Sequence, residues 1–253
     1  MLTDTHCHIH DTELYERTAG VEAYKRGLEA GVSRILCIGT SIESSRQAVE
    51  FAHNRPGCYA VVGVHPHDSK AGYAEIENIL QARHETVVGV GEIGLDYYYN
   101  NSPRKEQIDA LEQQLQWAKD YKLPVSFHVR DAFTDFWPIL ANFPGTNGVL
   151  HSFTDTQDSL TRALEKGLYI GLNGISTFTK DPEQQRVFDA VPLEKLLLET
   201  DAPFLTPVPH RGTVNEPAFV RSVADYHAKR RGIDYEQFAR TTSTNASTLF
   251  SLK

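Results

Sequence analysis

Leu2-Thr-Asp-Thr-His-Cys-His-Ile-His10 opens the chain as a short strand-like run. In an extended strand, side chains two apart share a face, so His6 and His8 project together. Asp4 lies on the same face one step back, and Cys7 faces the other way. A metal ion could use both imidazoles, with Asp4 orienting one of them from behind. An isolated His-x-His is more often an ordinary polar edge strand. Its meaning depends on what arrives at equivalent places later in the chain.

Working outward, the same unit recurs. Val21 to Ala30 has helical spacing and stops at Gly31, and Ser33 to Gly39 reads as a buried strand. Ser41 can cap a helix reaching about His53. Tyr59 to Val64 is a third strand, leading into His65-Pro-His67, and a helix over Ala74 to His84 follows. Thr86 to Gly94 is the fourth strand. Ser102-Pro103 reads as an N-cap with proline at the first helical position, opening a long helix to Tyr121. Pro124 to Val129 is strand five, with Asp131 placed to cap the next helix. Asn147 to Phe153 is strand six, and its helix stops at Gly167. Leu168 to Asn173 is strand seven, Asp181-Pro-Glu183 starts a helix, and Leu196 to Asp201 is strand eight.

Eight short buried strands alternating with helices, with no linker between them, predict an α/β fold: a parallel (β/α)8 TIM barrel in one domain spanning residues 1–253. An open doubly wound sheet would more naturally carry a glycine-rich phosphate turn after the first strand, which is absent. A helix from Asn215 to Arg231, stopped by Gly232, would cover strand eight. Asp234 to Leu252 would add an extra C-terminal helix or two.

Composition sets bounds on function. The 40% hydrophobic and 23% charged residues of this 253-residue chain suit a globular protein with a real core. No apolar run reaches the length of a membrane span, and the N-terminus lacks the basic and then apolar layout of a secretory signal, so the expected location is cytoplasmic. Cys7, Cys37 and Cys58 form no Cys-x-x-Cys pair, which argues against a disulfide framework or a thiolate zinc site. A formal charge of -8 argues against coating duplex nucleic acid through a broad basic surface. It does not exclude an anionic substrate, because bound divalent cations invert the local field. A monomer is compatible with the sequence.

In such a barrel the active site lies at the C-terminal ends of the strands. The residues there are His6 and His8, His65 and His67, Glu92, His128, His151 and Asp201. His53, His84 and His227 fall on outer helices and are expected at the surface. Imidazoles with hard carboxylate oxygens suit Zn, Mg or Mn, and six ligands exceed one tetrahedral site. Two divalent ions sharing a carboxylate is the economical solution. His6, His8 and Asp201 would hold one ion, His128 and His151 the other, and Glu92 both. His128 or His151 alone would more often be a satisfied core histidine, and Glu199-Thr-Asp201 alone a loop or cap; convergence on one barrel face is what favours ligation.

These residues sit in motifs that resemble a known family. Thr3-Asp-Thr-His-Cys-His8, Gly63-Val-His-Pro-His67, Gly91-Glu-Ile-Gly-Leu-Asp-Tyr97, Pro124-Val-Ser-Phe-His-Val-Arg-Asp-Ala132, His151-Ser-Phe153, Leu198-Glu-Thr-Asp-Ala-Pro-Phe204 and Arg211-Gly with Asn215-Glu-Pro217 are similar to those of the TatD metal-dependent deoxyribonucleases. That family belongs to the amidohydrolase-like metal-dependent barrels. The resemblance runs from about Leu2 to Phe250, and the family's two-metal ligand pattern falls on His6, His8, Glu92, His128, His151 and Asp201. It implies a divalent-metal-dependent phosphodiesterase, in several members a 3'-to-5' exonuclease on single-stranded DNA or RNA.

Phosphodiester hydrolysis needs an activated water, a polarised phosphoryl oxygen and a stabilised leaving oxygen, which two ions can supply. Asp201 is the candidate to ligate and to accept the water's proton. His65 is assigned to the scissile phosphate or leaving group, with buttressing of its loop as the alternative. His67, Arg130, His210, Arg211, Lys180 and Arg104 could contact substrate phosphates. Tyr97-Tyr98-Tyr99, Phe153 and Phe204 could stack unpaired bases, with loop packing as the alternative for each. The competing function is hydrolysis of a lactone, amide or cyclic ureide. Many such relatives bridge their metals with a carbamylated lysine where this chain has Glu92. A binding protein with a vestigial site is a third reading, disfavoured by the intact ligand set.

Overall fold

Eight parallel strands follow one another in sequence order in one sheet, which makes the fold the expected α/β class, a (β/α)8 barrel with additional C-terminal helices. The computed structural model describes residues 1–253, apart from the side chains of Arg17 and Thr18. The strands are β1 (Leu2–Cys7), β2 (Val32–Ile38), β3 (Cys58–Val62), β4 (Val87–Asp96), β5 (Val125–Arg130), β6 (Gly148–Leu150), β7 (Tyr169–Leu172) and β8 (Leu196–Leu198). The first helices are α1 (Arg17–Glu29), α2 (Ile42–His53), α3 (Ile76–Gln81), α4 (Arg104–Tyr121) and α5 (Phe133–Ala141). Then come α6 (Gln157–Glu165), α7 (Ile175–Phe178), α8 (Pro182–Ala190), α9 (Val220–Arg231) and α10 (Tyr235–Phe250). No helix among the described residues is long and apolar enough to cross a membrane.

Two compact units make up the chain, one of Met1–Cys37 with His151–Lys253, the other of Ile38–Leu150. In the first, β7 pairs with β8 and β1 with β2, and Cys7 bridges to Ala202 beyond β8. Leu196, Leu197 and Leu198 are all buried, as a strand covered on both faces requires. Each contributes roughly 1.5–3 kcal/mol by leaving water. Helix α10 packs on β1 and β8, and Asn245 donates to the carbonyls of Leu193 and Leu196. Gly232, in the left-handed conformation at φ 63°, ends α9.

In the second unit, β3 pairs with β4, β4 with β5, and β5 with β6. Ser41 caps α2 by accepting from the Ser44 N–H, as its sequence position predicts. Helix α4 turns two buried glutamines toward the strand ends. Gln107 accepts the Asp96 N–H at 2.8 Å and donates to the carbonyls of Asp96 and Ser102, while Gln114 both accepts from and donates to the backbone of Val64. Strand ends are thereby fixed by side chains from the outer helix.

Several local expectations give way to longer-range partners. Ser102 does not cap α4, whose N-cap is Pro103; its hydroxyl instead donates to the His67 carbonyl and accepts from the Lys70 N–H. Asp131 takes a left-handed φ of 53° to turn the chain, leaving the cap position of α5 to Ala132. His53 is exposed as expected, but His84 lies past the end of α3, half-buried against Thr86. His227 is not a surface residue. It is fully buried in α9, with Nε2 2.8 Å from the Ser176 hydroxyl.

Burial pushes the His227 pKa down to about 3, with the nearby Arg231 adding to the effect. An unfolded histidine titrates near 6.5, so between these values the unfolded chain binds a proton that the folded chain refuses. The stability from neutral His227 is therefore complete above about pH 6.5 and is lost as pH falls toward 3. We expect the unfolding free energy of the wild type, from denaturant titrations, to drop more steeply between pH 7 and 5 than that of His227→Gln, the slopes differing by up to about 1.4 kcal/mol per pH unit. Parallel curves would remove His227 as a source of acid sensitivity.

Candidate metal centre

In the first unit the ligand group is assembled by backbone pairing beyond the strand ends. The His8 N–H donates to the Ala202 carbonyl and the Asp201 N–H to the His6 carbonyl, both at 2.8 Å, so the chain leaving β8 runs beside β1. Asp201 adopts a left-handed φ of 58° and presents Oδ1 3.4 Å from His8 Nε2 and 3.7 Å from His6 Nε2. His151, just past β6, stacks on the His6 ring at 3.9 Å and 14°. Its Nδ1 lies 3.5 Å from Glu199 Oε1. That oxygen also accepts the Ser152 N–H at 2.6 Å. The donor atoms of His6, His151 and Glu199 fall within 4.8 Å of one another.

Burial opposes ionisation of Asp201, but the hydrogen bond from His8 and the neighbouring His151 and His6 rings hold its carboxyl below the usual range. Asp4 behaves in the opposite way. Full burial raises its pKa to about 8, against hydrogen bonds from the Thr200 hydroxyl, the Thr200 N–H and the His6 N–H. Its carboxylate thus holds backbone next to Asp201, where the sequence suggested the orienting of an imidazole ring.

In the second unit, Glu92 and Asp96 stand four apart on β4 and so share one face. His128 on β5 lies opposite Gly94, where a Cβ would fall 1.7 Å from the His128 carbonyl oxygen; glycine lets the strands close here. His128 Nδ1 is 2.9 Å from Glu92 Oε1, and its Nε2 is 3.0 Å from Asp96 Oδ2. His65 Nε2 reaches Glu92 Oε1 at 3.5 Å, and donor atoms of His65, Glu92 and His128 cluster within 4.8 Å. His67 Nε2 lies 2.9 Å from the same Asp96 oxygen that meets His128. Burial works against the Asp96 charge, but hydrogen bonds from His128, His67 and the Tyr99 N–H outweigh it and hold the carboxyl far below its normal range.

These donors fit divalent ions. Imidazole nitrogens and carboxylate oxygens are concentrated in buried positions, and Glu199 Oε2 is buried with no hydrogen-bond partner among the described residues. An uncompensated carboxylate oxygen in such a place is costly, and a cation removes the cost. Asp96 on His128 has the form of a carboxylate that fixes a metal-binding imidazole. Asp96 and Glu199 were not among the residues singled out from the sequence. The signal for Asp96 was parity, since it shares a strand face with Glu92 on β4; Glu199 lies past the end of β8, where the strand alternation no longer places it.

The remaining candidates divide by unit. Arg211 lies over the Phe178 ring and donates to the Thr206 carbonyl, and His210 stacks on Phe219 at 3.9 Å. Phe153 is buried, which makes it a packing residue, whereas Phe204 is 48% exposed. Tyr97 donates its hydroxyl to Asp135 and lies under the Arg104 guanidinium. Arg130 lies over Tyr98 and Tyr99. Lys180 is exposed.

The TatD related DNase family model matches residues 3–251, nearly the whole chain. The chain belongs to the TatD family. A 3'-5' ssDNA/RNA exonuclease TatD of Citrobacter koseri is 39% identical over 239 residues, covering 90% of this chain and 91% of the relative. The uncharacterized metal-dependent hydrolase YabD of Bacillus subtilis is 34% identical with full coverage of both chains. The crystal structure of the TatD homologue YJJV of Escherichia coli superposes with a TM-score of 0.91 at 30% identity, covering 100% of this chain and 98% of that one. This TatD-family chain is a metal-dependent hydrolase with buried histidine and glutamate clusters suited to binding metal ions.

Gly171 offers a way to disturb Glu199 without deleting it. A Cβ at this position would lie 2.4 Å from Glu199 Oε2, so Gly171→Ala must displace the carboxylate. We expect metal affinity, measured by competition with a chelating dye, to fall about tenfold or more. Overpacking should lower stability by about 1–3 kcal/mol. Unchanged affinity would show that Glu199 does not serve the metal.

Proposed function

We propose that this TatD-family hydrolase is a divalent-metal-dependent phosphodiesterase that removes nucleotides from the 3' end of single-stranded DNA or RNA. The observation that carries the reading is the pair of buried imidazole and carboxylate groups at the ends of the strands, in a chain 39% identical to a 3'-5' ssDNA/RNA exonuclease. In this proposal His6, His8 and Asp201 would hold one ion, His128 and His151 the other, and Glu92 would be shared. Bound divalent ions, Zn, Mg or Mn, supply an acidified water and charge compensation for the phosphoryl and leaving oxygens.

The chain's own residues do the rest. Asp201, ionised despite burial, accepts the proton of the attacking water. The close approach of His65 to Glu92 and His128 supports its assignment to the scissile phosphate or the leaving oxygen. Asp96 orients His128 and His67. Arg211 and His210 are proposed to meet flanking phosphates.

Digestion of end-labelled single-stranded and duplex oligonucleotides with Mg, Mn or Zn tests the reading. We expect stepwise shortening from the 3' end, preference for the single strand, and a loss of more than about 100-fold in Glu92→Gln, beyond the cost of removing a residue that only supports a ligand. Equal rates in Glu92→Gln, or no cleavage by metal-loaded wild type, would overturn it. In the second case a lactone, amide or cyclic ureide becomes the substrate class to assay.

A further inference from the structure

Three tyrosines follow Asp96, and the structure separates their work. Tyr97 is half-buried, hydrogen-bonded through its hydroxyl to Asp135 and covered by the Arg104 guanidinium, so both its polar end and one ring face are committed to packing. Tyr98 and Tyr99 are 59% and 55% exposed, large aromatic faces left in water directly after a strand end. Their rings stand edge to face at 4.9 Å. The Arg130 guanidinium, from the last residue of β5, lies 4.0 Å from the Tyr98 ring centre and 4.8 Å from that of Tyr99. Among the described residues Arg130 has no carboxylate partner, so its charge is available to an anion.

This surface is joined to the ligand group by one side chain. Asp96 Oδ1 accepts the N–H groups of Tyr98 and Tyr99 at 3.0 and 2.9 Å, while Oδ2 meets His67 and His128. The Tyr99 ring also meets the His67 ring edge to face at 5.4 Å. The backbone that carries the exposed rings is therefore fixed by the carboxylate that fixes two histidines of the site. Two exposed tyrosine rings that share one guanidinium, with no carboxylate on it among the described residues, suit a flat, electron-rich ring joined to a phosphate, which describes an unpaired nucleotide; a base inside a duplex has no open face to offer.

Resting on the phosphodiesterase reading above, we propose that Tyr98, Tyr99 and Arg130 form a stacking subsite for one unpaired base of the strand being cleaved, with Arg130 meeting its phosphate. Stacking does not read the base edge, so this subsite selects for single strands without selecting sequence. Tyr97 is excluded from it and acts as the packed support of the loop.

A two-by-two comparison tests the subsite: wild type against Tyr98→Ala/Tyr99→Ala, each on a single-stranded oligothymidylate and on an oligomer of equal length whose residues are abasic. Removing the rings should raise KM on the base-bearing strand by about tenfold or more, with kcat changed much less. Removing the bases should have a similar effect on wild type, and removing both should cost no more than removing either. Tyr98→Phe/Tyr99→Phe, which keeps both rings, should restore the wild-type KM. Independent, multiplying effects, or no change in KM, would overturn the subsite while leaving the phosphodiesterase reading in place. Failure of metal-loaded wild type to cleave either strand would overturn that reading, and the subsite with it.

Discussion

The carboxylate of Asp4 accepts the Thr200 N–H at 2.9 Å and the Thr200 hydroxyl at 2.7 Å, across 196 residues of sequence. A buried carboxylate without such partners would cost several kcal/mol, so the end of β8 is drawn to β1. The consequences run down the chain. The Thr200 N–H leaves the strand ladder, β8 ends at Leu198, and Asp201 turns through a left-handed conformation to give its own N–H to the His6 carbonyl. The approach of Asp201 to His6 and His8 follows from that turn. A polar group with no direct part in catalysis thus sets where three candidate ligands stand.

Asp96 plays the matching part in the other unit. It is fully buried, its backbone is clamped by Gln107 from α4, and its two oxygens are divided between histidine rings and the backbone of the following loop. Orientation of His128 and His67 therefore has its origin in an outer helix packed behind β4. Groups held this way do not have to be ordered when substrate binds, which is how a rigid scaffold lowers the cost of catalysis. The strand-end histidines are placed by the strands and aimed by buried carboxylates.

Sequence reading recovered what short-range rules govern. Eight apolar runs separated by helical spacing give the strand count, and Ser41, Asp181 and Gly232 act as the caps and stop that their positions suggest. The placement of His6, His8, Glu92, His128, His151 and Asp201 on or just past strands was legible from the strand pattern, and strand ends are where this fold keeps its chemistry. What escaped depends on distant partners. Ser102 has the form of a cap, yet a carbonyl 35 residues away takes its hydroxyl. His227 lies on an outer helix, yet its ring faces Ser176 and is wholly buried. Periodicity places it on a helix but does not tell an inward polar residue from an outward one. Asp96 had the right parity and was passed over because Glu92 at the same parity already filled the expected role, while Glu199 depends on the turn that follows β8.

Charge would make metal loading a condition of binding any anionic substrate at these strand ends. The chain carries a formal charge of -8, and each unit gathers acidic side chains at its strand ends: buried Glu199 and half-buried Asp201 in one, buried Glu92 and Asp96 in the other. Asp96 is held far below the ordinary carboxylate pKa and Asp201 below it, so both are negative at neutral pH. A phosphodiester approaching such groups is repelled until cations invert the field. The nearby arginines do not replace those cations. Arg104, Arg130 and Arg211 are each laid over an aromatic ring, which keeps the charge but directs it along a face. If the substrate is the single strand proposed above, guanidinium groups laid over aromatic rings would suit the chain beside the scissile bond, where phosphate and base alternate, and would leave the reacting phosphate to the proposed metal ligands.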